Sequence, residues 1–157
     1  MCQDVGSAGR FWINDGRGRF PAVPRLAVRH TSRSSMGIDF ADINHDGHDD
    51  FLLLDMLARQ QARRLVHLDK EQPIPIVVGK FDDRPRYNRN TLLVSRGDGS
   101  WLEAANYAGL EARDRSWAAA FMAVDLGGLE DGLITNGFSF DPKNIHTEER
   151  RVGQECS

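Results

Sequence analysis

Short apolar runs alternate along this chain with glycine-rich and acidic turns. In the stretch GIDFADI, the apolar residues Ile38, Phe40 and Ile43 alternate with aspartates, which is the pattern of a half-buried strand. An acidic loop follows, and the apolar run FLLL that starts at Phe51 predicts a second strand. Repeated antiparallel hairpins with glycine turns indicate an all-β fold of propeller-like blades.

The pattern occurs twice, because a shift of 81 residues, from position 11 to position 92, superimposes two segments without a gap. FWINDGRGRF then lies over LLVSRGDGSW, so that both glycines of each Gly-x-Gly turn coincide. The same shift aligns Ser35 with Ser116, Phe40 with Phe121, Gly47 with Gly128, Asp50 with Asp131 and Leu52 with Leu133. We therefore predict one repeat unit at 11–57, a second at 91–140, an insertion at 58–90 between them and a polar tail at 141–157.

The region between the units has a different pattern. Residues 56–65 are good helix formers without a glycine or proline, which predicts a short surface helix. Pro73, Pro75 and Pro85 then favour an extended, loop-like course. The sequence thus predicts a short helix-containing insertion in an all-β protein.

Composition excludes two classes of partner. The net charge of -3 gives no basic surface for nucleic acid. The longest apolar run, WAAAFMAV, has eight residues, whereas a membrane helix needs roughly 18, so we expect no membrane span. The first ten residues lack the charged and apolar regions of a signal peptide. Cys2 and Cys156 either form a disulfide or remain free thiols, and the sequence leaves both open.

The stretch DINHDGHDD, residues 42–50, carries the candidate chemistry. Calcium binds six to eight hard oxygen ligands, and oxygen-bearing side chains at positions 1, 3 and 5 of a tight loop with glycine at position 6 can surround it. The predicted ligands are Asp42, Asn44, Asp46, the carbonyl of His48 and Asp50. Position 12 is Leu53 rather than the bidentate glutamate of an EF-hand, and helices do not flank the loop, so the loop is not an EF-hand.

Two other interpretations of this loop remain. It could be a solvated acidic turn without an ion, although its carboxylates would then repel one another. Alternatively, Asp42, Asp46 and His48 could hold the metal of a hydrolase, because imidazole suits transition metals. Loop positions 4 and 7, however, should direct the rings of His45 and His48 outward.

Residues elsewhere give little support for catalysis. The chain has no Gly-x-Ser-x-Gly motif, and we expect it not to be an enzyme. The isolated histidines are most simply surface residues: His30, His67 and His146. The three tryptophans are expected in the core rather than on a carbohydrate- or peptide-binding surface: Trp12, Trp101 and Trp117.

With two Gly-x-Gly hairpins and FADINHDGHDDFLLLD or a decayed version of it, the chain resembles FG-GAP/VCBS repeats over about residues 11–140. This resemblance implies blades of an integrin α-chain-type β-propeller, with the same five ligands around Ca²⁺. It also implies a non-catalytic adhesion or protein- or carbohydrate-binding scaffold in an extracellular, periplasmic or cell-surface location. Two units are too few for a closed propeller of at least about four blades, so either self-association or further blades would complete it.

The second unit departs from the family pattern. Its loop reads AVDLGGLED, with Ala123 and Gly127 in place of the first and fifth-position ligands. Only Asp125 and Asp131 remain as carboxylate ligands. We therefore predict that this copy keeps the turn and lacks the ion.

Overall fold

The computed structural model describes residues 9–61, 64 and 84–137. Strands dominate these residues, and a single turn of 3-10 helix lies at Arg25–Ala27. The strands are β1 Thr31–Ser32, β2 Gly37–Ala41, β3 Asp50–Leu54, β4 Met56–Leu57, β5 Arg86–Tyr87, β6 Thr91–Ser95, β7 Trp101–Glu103, β8 Asp114–Met122 and β9 Asp131–Asn136. The predicted all-β class is confirmed.

The central element is a four-stranded antiparallel sheet in the order β2-β3-β6-β7, which is also the order along the chain. Its first two strands come from the first sequence unit and its last two from the second. A three-stranded sheet, β4-β8-β9, and a short parallel pair, β1-β5, complete the described strands. These sheets do not close into a ring within the described residues, and propeller blades are not established by the fold alone.

Both faces of the central sheet are covered. On one face, Phe51 and Leu53 pack with Val23 and Val28. The ring of Phe11 lies 5.0 Å from that of Phe51, so residues 11–23, which form the N-terminal hairpin, cover this face. On the other face, Leu52, Leu54, Leu92 and Ala105 pack against side chains of β8 and β9. Every residue of β3 is buried, because this strand lies between two partner strands and two packed layers.

The structure repeats with the same shift of 81 residues as the sequence. Ala41 pairs with Asp50 in β2-β3, and Met122 pairs with Asp131 in β8-β9, so the two strand pairs share one register. The two Gly-x-Gly hairpins also share their hydrogen bonds. The matching pairs are Asp15 N–Arg19 O at 3.0 Å with Arg96 N–Ser100 O at 3.0 Å, and Val23 N–Phe11 O at 2.9 Å with Ala104 N–Leu92 O at 2.8 Å.

The prediction of a helix over residues 56–65 is wrong for its first residues. Met56–Leu57 is a strand, in which Met56 pairs with Arg115 of β8. Helix propensity is a weak preference, and an available partner strand overrides it here. Gln61 and Arg64 do have helical backbone, and the Arg64 amide donates to the Gln60 carbonyl at 3.0 Å. Residues 62, 63 and 65–83 of the predicted insertion lie outside the described residues, whereas its last part includes the short strand β5 Arg86–Tyr87.

The expectation that His30 is a surface residue is wrong. Its side chain is only 13% exposed, its ring meets that of Tyr87 edge to face, and Nε2 lies 3.9 Å from Glu103. Burial lowers the pKa of this imidazole, whereas the Glu103 carboxylate opposes the effect. His67 and His146 lie outside the described residues.

The tryptophans divide between the core and the surface. Trp101 packs against the first core cluster, with its ring 5.9 Å from that of Phe51. Trp12 and Trp117 are 42% and 41% exposed, so the prediction that they belong to the core is wrong.

Candidate functional site

The acidic loop, residues 42–50, connects β2 to β3, and its last residue, Asp50, is the first residue of β3. The Asp42 carboxylate lies across it: Oδ1 accepts from the Asp46 amide at 2.9 Å, and Oδ2 accepts from the Gly47 amide at 2.8 Å. His45 and Gly47 have φ of 58° and 83°, the left-handed backbone that lets the chain reverse within a few residues. The first predicted ligand thus also holds the turn together.

The middle of the loop is bonded in the same way. Asn44 Oδ1 accepts from the Asp46 amide at 3.1 Å, and Asn44 Nδ2 donates to Asp46 Oδ2 at 3.0 Å. Asp46 Oδ1 accepts from the His48 amide at 2.9 Å. The side chains at positions 1, 3 and 5 therefore meet around the Asp46 backbone.

Asp50 anchors the loop to the sheet. Its side chain is fully buried, and its two oxygens accept from the Ser95 amide at 2.7 Å and the Ile43 amide at 3.2 Å. Burial raises the pKa of the Asp50 carboxyl, and the negative charges of Asp46 and Asp42 raise it further. The Asp50 carboxyl therefore lies in the electrostatic field of two neighbouring carboxylates.

The chemistry of the donor set fits calcium. An ionised carboxylate has about four lone-pair sites, and the Asp42 carboxylate uses two of them for amides, so the rest can face an ion. In the described part of the chain, no three His, Cys, Asp or Glu side chains stand close enough to hold a metal ion by themselves. A calcium site here would therefore need the amide oxygen of Asn44 and the carbonyl of His48 beside the carboxylates.

The imidazole of His48 lies away from the loop, against the turn between β6 and β7. A Cβ placed on Gly97 would come within 3.0 Å of His48 Nε2. The structure thus does not group Asp42, Asp46 and His48 as the hydrolase interpretation requires.

The second loop, residues 123–131, repeats the backbone of the acidic loop. Leu126 and Gly128 have φ of 57° and 81°, against 58° and 83° for their counterparts His45 and Gly47. Asp131 Oδ2 accepts from the Val124 amide at 3.1 Å, and Asp125 Oδ1 accepts from the Gly127 amide at 2.8 Å. Both bonds have exact counterparts in the acidic loop, whereas the two bonds of Asp42 are lost at Ala123.

Sequence reasoning missed three polar side chains that join the sheets, of which Asp55 and Asn90 are buried and Asp39 is half-buried. Asp55 Oδ2 accepts from the Ser32 hydroxyl and from the Arg33 and Ser34 amides. Asn90 accepts from the Asp55 amide at 2.8 Å, and Asp39 accepts from the Phe121 amide at 2.7 Å. Asp39 stands at an ordinary polar position of an alternating strand, so its partner 82 residues away leaves no local signal.

Comparison with protein-family models gives a match to the first part of the chain. The model of the FG-GAP-like repeat family matches residues 2–53, which include the N-terminal hairpin, β2, the acidic loop and most of β3. Neither a curated protein nor a solved structure matches the chain. In the described residues, no helix has the length and apolar character needed to cross a membrane. The predicted resemblance to FG-GAP-like repeats is confirmed for the matched segment, residues 2–53.

Proposed function

We propose that this chain is a calcium-binding β-propeller-type repeat module that serves as a non-catalytic scaffold for a protein or carbohydrate ligand. One observation carries the calcium part. The oxygen-bearing side chains of Asp42, Asn44 and Asp46 meet around the Asp46 backbone, in a loop whose backbone persists in a copy that lacks the first and last of these side chains. The second loop has the same backbone with Ala123 and Gly127 at those positions, so the charges of Asp42 and Asp46 are not required for that backbone and are available for an ion.

The propeller part rests on the sheet order. Four antiparallel strands that neighbour one another in chain order make up the blade of a propeller. The N-terminal hairpin and the β8-β9 pair pack on opposite faces of this sheet, as neighbouring blades would. FG-GAP-like repeats are typically non-catalytic, which supports the scaffold interpretation.

The ion would stabilise the join between strands. Asp50 links the acidic loop to the Ser95 amide of β6, so neutralising the nearby charges strengthens a contact inside the central sheet. A ligand at about 100 times its Kd adds about 2.7 kcal/mol to stability. Extracellular modules often bind calcium with a Kd of about 10⁻⁴ to 10⁻³ M. An extracellular, periplasmic or cell-surface location, where calcium is abundant, would suit such a site.

Thermal unfolding with and without calcium tests this proposal. Millimolar Ca²⁺ should raise the Tm of the unmodified chain, and the rise should vanish in Asp46→Ala, because that change removes a ligand. Asp125→Ala in the second loop is the matched control and should retain the full rise. An equal Tm in the presence and absence of millimolar Ca²⁺ would refute the calcium site. Zinc binding together with phosphoesterase turnover would favour the hydrolase interpretation instead.

A further inference from the structure

The described chain contains two complementary half-sheets. The β8-β9 pair corresponds to β2-β3 under the 81-residue shift, and the N-terminal hairpin corresponds to the hairpin formed by β6 and β7. In the central sheet, β6 pairs with the edge of β3. Among the described residues no strand pairs with the corresponding edge of β9, and none pairs with the hairpin edge that corresponds to β6.

The side chains of β9 are more exposed than those of its counterpart β3. Leu52 in β3 is 1% exposed, whereas its counterpart Leu133 in β9 is 49% exposed. An unpaired strand edge with apolar side chains is a template for pairing with another chain. On the hairpin side, Trp12 and Phe20 are 42% and 61% exposed, although their counterparts Leu93 and Trp101 pack in the core.

We infer that β9 of one copy of this chain pairs with the N-terminal hairpin of a second copy, which completes a four-stranded sheet between them. The inference rests on the propeller-type part of the proposed function and does not involve calcium. The register follows from the central sheet, where Phe51 pairs with Leu93 and Leu52 with Leu92. Shifted by 81 residues, these pairs become Gly132 with Trp12 and Leu133 with Phe11.

Side-chain size and polar groups fit this register. In the central sheet the large Phe51 pairs with the medium-sized Leu93. In the inferred sheet the corresponding pair is Gly132 with Trp12, so the smallest residue lies opposite the largest. In the central sheet, Asp50 Oδ1 accepts from the amide of Ser95. The corresponding oxygen of Asp131 has no donor within the described residues, and the amide of Asn14 of the second copy would take that place.

The charges of the two parts are complementary. The second loop carries three carboxylates within seven residues: Asp125, Glu130 and Asp131. Residues 10–23 carry three arginines and one aspartate: Arg10, Arg17, Arg19 and Asp15. Opposite charges of this kind favour a second copy in the inferred orientation and disfavour pairing of two β9 edges.

The arrangement predicts the number of copies. Each copy would contribute its central sheet and one sheet shared with the next copy, so a head-to-tail ring has two sheets per copy. Closed propellers have about four to eight blades, which corresponds to two, three or four copies. The expected assembly mass is two to four times 17.6 kDa.

Intermolecular disulfide formation tests the register. Trp12→Cys and Gly132→Cys are made in separate chains that both carry Cys2→Ser and Cys156→Ser, and the two chains are mixed under oxidising conditions. Paired antiparallel residues have Cα atoms about 4.5–5.5 Å apart, within the range a disulfide spans. The mixture should give a covalent heterodimer. The mixture of Ile13→Cys with Gly132→Cys should give at least tenfold less, because a shift of one residue turns the side chain to the other face. Equal yields from the two mixtures would overturn the register.

Sedimentation equilibrium tests the assembly itself. The unmodified chain should show a mass of two to four copies, and Trp12→Glu should reduce it to one, because the new carboxylate would meet the acidic second loop. Tyr107→Glu, at a residue that is 97% exposed and outside both edges, should keep the assembly. A monomer at all concentrations up to roughly 100 μM, far above typical specific affinities, would refute the inference. The calcium-dependent rise in Tm should persist in Trp12→Glu, so failure of the assembly and failure of the calcium site are distinguishable.

Discussion

The acidic loop and the second loop have the same backbone and different side chains. Both join two antiparallel strands in one register, both contain a non-glycine residue and then a glycine in the left-handed region, and both end in an aspartate that accepts from the loop. Only the acidic loop has oxygen-bearing side chains at positions 1, 3 and 5. The difference shows which residues the turn requires and which ones it merely permits. Four predictions can break or sharpen this comparison, in decreasing order of expected effect.

The largest effect should come from the strands that follow the loops. Leu52→Ala should reduce the free energy of unfolding by about 2–5 kcal/mol, because it leaves a cavity at a fully buried position. Leu133→Ala, at the corresponding half-exposed position, should cost less than about 1 kcal/mol. Urea unfolding at a dilution where the chain is monomeric measures both. Equal losses would show that β9 is as well covered as β3.

Ligands placed in the second loop should create a second calcium site. The double variant Ala123→Asp/Gly127→Asp restores carboxylates at positions 1 and 5 beside Asp125 and Asp131. A Cβ on Gly127 would lie 2.9 Å from Asp125 Oδ1, the movable end of a side chain, so the loop can accommodate the change. Calorimetric titration should show two bound ions rather than one, with a further gain of about 2.7 kcal/mol at 100 times Kd. Ala123→Asn/Gly127→Asn is the matched control, because asparagine has a similar size and adds no charge. A stoichiometry of one in the aspartate variant would mean that the shared backbone does not suffice for a site.

The pH dependence of stability should depend on Asp55, whose counterpart in the second unit is Asn136. Burial raises the pKa of the Asp55 carboxyl above 3.8. At pH values between 3.8 and the raised pKa, the native state binds a proton that the unfolded state has released. The contribution of Asp55 to the free energy of unfolding therefore decreases as the pH rises. Asp55→Asn should cost about 1–3 kcal/mol by disturbing the bonds to Ser32 and the neighbouring amides. The difference in the free energy of unfolding between Asp55→Asn and the unmodified chain should widen as the pH falls from 7 towards 4. Urea unfolding at each pH measures this difference. A difference that narrows on acidification would contradict the assignment.

The smallest effect should be shared by the two turns. Gly47→Ala and Gly128→Ala each place a Cβ where φ is 83° or 81° with no atom within 4 Å, so the cost is conformational alone. Each should lower the free energy of unfolding by about 1–2 kcal/mol when calcium is absent. Chemical unfolding in a chelator checks whether the two losses agree within about 0.5 kcal/mol. A clearly larger loss at Gly47 would show that the acidic loop has constraints the second loop lacks.

The sequence predicted those features that local spacing determines. The duplication, both left-handed glycines of the loops and the loss of loop ligands at Ala123 follow from position counting, and the structure shows a matching register. The helix over residues 56–65 and the surface position of His30 were wrong, because a partner strand and the side chain of Glu103 come from distant parts of the chain. Asp39, Asp55 and Asn90 could not be found for the same reason: their partners are fixed by the packing of strands, which no local pattern records.

The central sheet takes two strands from each sequence unit, so the unit that is duplicated and the unit that folds are different segments. Within the described residues neither copy of the repeat contains a complete sheet, and the hydrophobic clusters on both faces contain residues from both copies. A copy that is expressed alone would therefore expose the edge of a strand and half of a core. The two copies consequently depend on each other for stability. Deletion of either copy from the gene would remove part of the shared core and with it the fold.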